Sequence, residues 1–174
     1  YNIFACNGIL FNHESPLRGE TFVTKKIISA LCEISLSGTG NLYLGNLYSK
    51  RDWGHAKDYV LAMWKMLQRK NPKDYVLASG RQYTVKYFVN LICDILKIKI
   101  YWKGKGINEK AYWNGKVIIS IDKKYFRPTE VDSLLGDSSK ARKELRWKPL
   151  YNIRSLAQDM VAEEFKKIHA NKKK

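Results

Sequence analysis

The sequence has 174 residues, 45% of them apolar, and a formal charge of +16. That apolar content is enough to bury a core as one domain or as part of a larger one, and it excludes a chain disordered throughout. The charge invites a nucleic-acid partner, since clustered Lys and Arg displace counterions from phosphates. However, five lysines fall in the last nine residues and the others are spread along the chain, a distribution that speaks to solubility and non-specific binding, so no nucleic-acid partner is expected.

The chain starts at Tyr1, without methionine, and enters an apolar run at once, as a fragment would. Tyr1 to Phe11, interrupted by Gly8, suits a buried strand of a parallel sheet emerging into a loop. The spacing of Val23, Ile27, Ala30, Leu31 and Ile34 predicts an amphipathic helix between Glu20 and Leu36. A glycine-bearing turn follows at Ser37 to Asn41, then a strand over Leu42 to Leu47. Lys50 to Tyr59 is a polar stretch leading into a helix with Tyr59, Met63, Trp64 and Leu67 on one face, stopped by Asn71 and Pro72. Tyr75 to Ala78 reads as a strand. Thr84 to Leu96 reads as a helix with Thr84 as N-cap and Val85, Phe88, Val89, Ile92 and Leu96 inward. Strands are expected over Lys99 to Lys103 and Lys116 to Asp122, and helices over Ser138 to Trp147 and Ile153 to Ile168. The alternation of elements indicates an α/β fold of helices layered on small sheets.

Cys6, Cys32 and Cys93 lie far apart in apolar surroundings, without a Cys-x-x-Cys pair. They read as buried free thiols of a reducing, cytoplasmic compartment. No apolar run approaches the roughly 18 residues of a membrane span, so no membrane partner is expected.

Three polar clusters carry the candidate chemistry. The first is Asn12, His13, Glu14, Ser15 and Arg18, just beyond the expected parallel strand, where ligands of open α/β sheets bind. Arg18 can fork onto a phosphate and His13 can donate to a cofactor amide or phosphate. Alternatively, His13 and Glu14 cap the next helix or close a turn. The second cluster sets Arg51, Asp52, Trp53, His55 and Asp58 together; here Arg51 either faces an anion or pairs with Asp52 or Asp58 in a structural network. In the third, Pro128 holds Arg127 and Glu130 extended, to grip a diphosphate and a sugar hydroxyl or to make a surface salt bridge worth little. The three histidines show no metal-ligand spacing. No GxxxxGK[ST], helix-opening GxGxxG or GxSxG is present. Tyr101 with Lys105, and Tyr112 with Lys116, match Tyr-x-x-x-Lys by count, but Gly104 or Gly115 interrupts the helical turn that such a pair needs.

The stretches YNIFACNGILFNHESPLRGETFVTKKI, LGNLYSKRDWGHAKDYVLAMWKMLQ and YFRPTEVDSLLGD, in this order, resemble the GDP-mannose 4,6-dehydratases. That family lies in the extended branch of the short-chain dehydrogenase/reductase superfamily. The resemblance implies the last strand of an NAD(P)-binding Rossmann sheet and hinge over residues 1–19. It implies a smaller mixed α/β nucleotide-sugar domain over 20–165, and a basic tail over 166–174. It further implies NADP as cofactor, contacted by His13 and Arg18, and GDP-mannose as substrate, held by Asn12, Lys26, Arg51, Arg127 and Glu130. The product would be GDP-4-dehydro-6-deoxymannose, formed by a homodimer or homotetramer. The Ser/Thr, Glu and Tyr-x-x-x-Lys groups that move protons would precede Tyr1, so the chain alone is expected to be inactive. Another nucleotide-sugar dehydratase or epimerase, or a non-catalytic remnant with a basic surface, are the alternatives. Leu17 stands where the family usually has a second arginine, and Lys97 to Trp113 follows the family text poorly, so no role is carried there.

Overall fold

The computed structural model describes residues 3–126 and 131–171. In chain order its elements are β1 (Gly8–Leu10), β2 (Asn12–Glu14), α1 (Val23–Ser37), β3 (Leu42–Leu44), β4 (Lys50–Arg51), β5 (Trp53–His55), α2 (Ala56–Leu67), β6 (Tyr75–Leu77) and β7 (Tyr83–Thr84). These are followed by α3 (Val85–Ile95), β8 (Tyr101–Lys103), β9 (Lys110–Trp113), β10 (Lys116–Ile121), α4 (Ser139–Leu145) and α5 (Ile153–Asn171). The fold is α/β, as the alternating pattern predicts. Two compact units divide it: Tyr1–Ser15, Lys50–Tyr83 and Ser133–Leu156 form one, and Pro16–Ser49, Thr84–Asp132 and Ala157–Lys174 the other.

In the first unit β1 pairs in parallel with β6, and β2 in parallel with β5. The expected opening strand is thus short, and His13 and Glu14 lie in a strand of their own rather than capping α1, whose N-cap is Phe22. The core brings Tyr59, Ala62 and Met66 of α2 against Tyr75 and Leu77 of β6, with Ala141 and Leu145 of α4 and Trp147. The face expected for α2 is corrected here. Tyr59 is buried, but Met63, Trp64 and Leu67 are exposed, and Ala62 and Met66 take their place inward. Asp58 belongs to that buried side and turns the helix by anchoring it, which the apolar spacing alone could not reveal.

In the second unit the sheet runs in the order β3-β10-β9-β8; β3 is parallel to β10 and the other pairs are antiparallel. The hairpin strand β9 was not expected from the sequence, because Lys110 to Trp113 alternates too briefly to be distinguished from the glycine- and lysine-rich loop before it. α1 and α3 bury the apolar stripes expected of them, including Ile27, Leu31, Phe88 and Ile92. Gly38 ends α1 in the left-handed conformation, φ 70°, and returns its N–H to the Ile34 carbonyl. Thr84 caps α3 by accepting from the Tyr87 N–H. Cys32 and Cys93 are buried free thiols, and burial pushes both up to about 12; Cys6 is half-buried. Among the described residues no helix is long and apolar enough to cross a membrane.

A buried ion pair lies in this unit: Lys25 Nζ of α1 donates to Glu164 Oε2 of α5 at 2.6 Å, both side chains being about 5% exposed, and also donates to the Pro16 carbonyl at 3.2 Å. Burial pushes the Glu164 carboxyl up, but the hydrogen bonds from Lys25 and Ser29 and the Lys25 charge outweigh it, and the carboxyl ends below its ordinary value. A depressed folded value means the stabilisation is present above the unfolded carboxylate range and is lost as pH falls through the folded value. Glu164→Gln is expected to cost about 3–5 kcal/mol in urea denaturation, because it strands a buried ammonium. Lys25→Met combined with Glu164→Leu should recover most of that loss and flatten the fall in stability towards acid.

Candidate functional site

The first two polar clusters, thirty-odd residues apart in sequence, meet in the first unit. The parallel register of β2 and β5 sets Asn12 opposite Trp53, His13 opposite Gly54 and Glu14 opposite His55. Asn12 and His13 are half-buried, and Arg51 lies two residues ahead of Trp53 on the neighbouring β4, with Nη1 donating to the Lys50 carbonyl at 2.9 Å. His13 Nδ1 is 3.1 Å from the Phe11 carbonyl oxygen. A carbonyl only accepts, so Nδ1 carries the proton, and the neutral ring presents Nε2 as an acceptor.

The rest of the second cluster holds the unit together. Asp52 is fully buried; its Oδ1 accepts from Ser79 N at 2.9 Å and its Oδ2 from Gly80 N at 3.0 Å and Gly136 N at 3.3 Å. Asp58, in the first turn of α2, accepts from the N–H groups of Leu150 and Tyr151, both at 3.1 Å, while its carbonyl takes the Trp147 indole N–H at 2.9 Å. His55 caps α2 by accepting from Lys57 N and stacks 3.9 Å from the Tyr151 ring. Both aspartates are therefore engaged by backbone, which was not legible from the sequence. The Tyr59 ring lies 5.4 Å from that of His13, and a Cβ at Gly54 would come within 2.5 Å of it. Burial, then the Asp52, Asp58 and Glu14 charges, push the Tyr59 phenol up, and its hydroxyl has no hydrogen-bond partner among the described residues.

The second unit holds Arg18 and Lys26. The Arg18 guanidinium carbon lies 3.5 Å from the centre of the Phe22 ring, a stacking that keeps the fork flat. Lys26, in the first turn of α1, donates from Nζ to the Tyr43 carbonyl at 2.6 Å and sits 3.6 Å over the Tyr125 ring. Phe22 and Tyr125 were not singled out from sequence; Phe22 could have been, four residues after an arginine. Arg127 and Glu130 lie outside the described residues. However, the chain just beyond them is fastened beside Arg51: Leu134 N donates to the Lys50 carbonyl at 3.1 Å, and Ser133 Oγ to Gln82 Oε1 at 2.7 Å. Among the described residues no group of three or more His, Cys, Asp or Glu is placed to hold a metal ion.

The model of the GDP-mannose 4,6 dehydratase family matches residues 1–160. The chain belongs to that family. The GDP-mannose 4,6 dehydratase of Drosophila melanogaster is 51% identical over 173 residues, covering 98% of this chain and 44% of that protein. The Sinorhizobium fredii enzyme of the same name is 52% identical over 166 residues, covering 94% and 47%. The chain spans about half the length of the curated relatives it matches. Among solved structures, RMD from Pseudomonas aeruginosa complexed with NADPH superposes with a TM-score of 0.73 at 16% identity, over 91% of this chain and 47% of its own. The dTDP-glucose 4,6-dehydratase of Bacillus anthracis in complex with NAD gives 0.71 at 18%, over 94% and 45%. At those identities the likeness is one of fold. It agrees with the terminal strands of a Rossmann sheet joined to a smaller mixed α/β part.

In this member of the GDP-mannose 4,6-dehydratase family, Asp52→Ala is expected to cost more than about 3 kcal/mol, because each orphaned buried N–H costs about 1–3 kcal/mol. Gly54→Ala should cost about 1–3 kcal/mol by overpacking Tyr59. Tyr59→Phe should be neutral or stabilising by up to about 1 kcal/mol. Urea titrations of the three variants check this, and a clear loss for Tyr59→Phe would show that the phenol has a bound partner.

Proposed function

We propose that this chain supplies the cofactor- and substrate-contacting residues of an NADP-dependent GDP-mannose 4,6-dehydratase, which converts GDP-mannose to GDP-4-dehydro-6-deoxymannose and water. The observation that carries the reading is the β2–β5 register, which fixes Asn12 and His13 against Trp53 and Gly54, just after Arg51 in sequence, within a chain of this family.

The residues present fit a dinucleotide and a diphosphate sugar. Arg18, stacked flat on Phe22, offers a planar fork to a phosphate. His13, with Nδ1 committed to Phe11, accepts at Nε2, which suits a ribose hydroxyl or an amide N–H; donating to a phosphate would require the imidazolium. Asn12, Arg51, Lys26, Arg127 and Glu130 are the proposed contacts of the sugar nucleotide, the arginines meeting the two negative charges of a diphosphate. The nicotinamide, when bound, would supply the hydride acceptor and donor for the sugar. The work of this chain is to bind and orient those partners and to keep water from them. On this reading the enzyme works as a cytoplasmic homo-oligomer.

The groups that move protons are assigned to the half of the longer relatives that this chain does not span. Two features of the first unit support such a complement. β1 pairs only with β6 among the described residues, and Ile9 on it is 56% exposed; parallel sheets are covered on both faces. α2 likewise leaves Val60, Met63, Trp64 and Leu67, spaced along one face, in solvent, and exposed apolar faces mark interaction sites.

The chain alone should convert no GDP-mannose with NADP⁺. Adding the separately expressed other half of the Drosophila melanogaster relative should restore 4-keto-6-deoxy sugar formation. In calorimetry on that complex GDP-mannose should bind more tightly than dTDP-glucose or UDP-glucose, and NADP⁺ more tightly than NAD⁺. Arg51→Ala should weaken GDP-mannose binding at least tenfold with NADP⁺ binding unchanged, and tightest binding to a non-guanosine sugar would overturn the assignment.

A further inference from the structure

We propose that the outer face of the β3-β10-β9-β8 sheet binds single-stranded nucleic acid. The ladder register fixes what stands on it. Lys103 pairs with Lys110, Lys110 with Ser120, and Ser120 with Tyr43, so these four form one row across four strands. Two residues along on β8 and β9, Tyr101 pairs with Tyr112, and Tyr112 meets Val117 across a register shift in β10 between Val117 and Ile119, forming the next row on the same face. The opposite face is turned to helix α3, because Trp102 Nε1 donates to Asn90 Oδ1 at 2.9 Å and Lys86 Nζ lies 4.8 Å over the Trp102 ring.

The outer face combines stacked aromatics with unopposed cations. The Tyr101 and Tyr112 rings lie 5.3 Å apart and within 10° of parallel, and the Lys103 ammonium stands 5.5 Å and 5.7 Å above them. Tyr101 and Tyr43 are each 45% exposed. From Lys97 to Lys116 the chain carries six lysines, all exposed, against a single acid. That acid, Glu109, is buried and held by Lys86 and Tyr48, so it neutralises nothing outside. Of those six lysines, the register sets Lys103 and Lys110 side by side on this face. Lysines alone would suit any polyanion or anionic membrane. Tyrosine rings set between them supply what bases need, a flat surface to stack on, while the lysines follow the phosphates. Binding of this kind is tolerant of sequence and steep in salt, and it is independent of the sugar-nucleotide reading.

The test is fluorescence anisotropy of the whole chain with a labelled twenty-nucleotide oligo(dT). The expected result is binding at least tenfold tighter than to a duplex of equal length or to heparin, falling between 50 and 200 mM salt. Tyr101→Ser with Tyr112→Ser should weaken it about tenfold and leave the salt slope unchanged. Lys103→Glu with Lys110→Glu, at exposed positions that leave the circular dichroism intact, should abolish it and flatten the slope. The proposal fails if heparin, duplex or phosphatidylserine vesicles bind as tightly as oligo(dT). It also fails if binding survives both double variants, or disappears only on deleting Lys172–Lys174.

Discussion

The first unit is assembled from three separate stretches of chain, and the Asp52 carboxylate is the constraint that fastens Ser133–Leu156 to Lys50–Tyr83. A carboxylate removed entirely from water is prohibitively costly unless its lone pairs are met. Asp52 is met by three backbone N–H groups, those of Ser79 and Gly80 from its own stretch and that of Gly136 from Ser133–Leu156. The need is reciprocal, because those N–H groups would otherwise be buried donors without an acceptor. Backbone must come close for this, and two glycines allow it. Gly80 takes φ 76°, and a side chain at Gly136 would collide with Ala78 and Phe11. Beyond β5, in the first turn of α2, Asp58 repeats the device with Leu150 and Tyr151. The two aspartates thus bracket β5 and the start of α2 and leave that segment little freedom.

Rigidity there fixes the part of the site that lies in this unit. β2 is registered on β5, so Asn12 and His13 inherit the position of Trp53 and Gly54. Gly54 lacks a side chain because the Tyr59 ring occupies that space, and the same ring flanks His13. With Nδ1 tied to the Phe11 carbonyl, the imidazole has its tautomer chosen before any ligand arrives. Supporting hydrogen bonds and packing of this kind hold a binding group within the narrow tolerance that recognition needs. The second unit uses a different device: Arg18 and Lys26 each rest on an aromatic ring, Phe22 and Tyr125, which restricts a long side chain without neutralising it.

Helical periodicity made α1 and α3 legible, down to Thr84 as a cap, because both helices bury one continuous apolar stripe. It misled on α2, where apolar residues surround the helix and only the anchoring of Asp58 reveals which side is inward. The polar clusters were legible as clusters, since charged and ring-bearing residues rarely crowd without reason. Their internal division was not. Nothing in KRDWGHAKDY distinguishes the arginine at the strand edge from two aspartates engaged by backbone 27 to 93 residues away, because those partners are main-chain atoms and have no residue type to recognise. β9 was missed for a related reason: its pairing with β10 and β8 comes from the hairpin, not from its own four residues.

The same asymmetry governs the charge. Among the described residues the interior takes five carboxylates, Glu14, Asp52, Asp58, Glu109 and Glu164, and only one lysine, Lys25. Carboxylates are short and accept from backbone N–H, so a fold can meet their demands locally; a lysine carries only donors on a long stem and is more cheaply left in water. Burying acids removes them from the surface balance, so the solvent-facing chain is more basic than the overall +16 suggests. Whether such an excess has a direction depends on secondary structure. On a helix six lysines within twenty residues would be distributed around the axis, whereas on a twisted hairpin alternation sorts side chains onto two faces. Trp102 and Ala111 are turned to α3, and Tyr101, Tyr112, Lys103 and Lys110 are turned out. A charge run with no evident purpose in the sequence becomes, through the two-residue period of a strand, a surface with a defined composition.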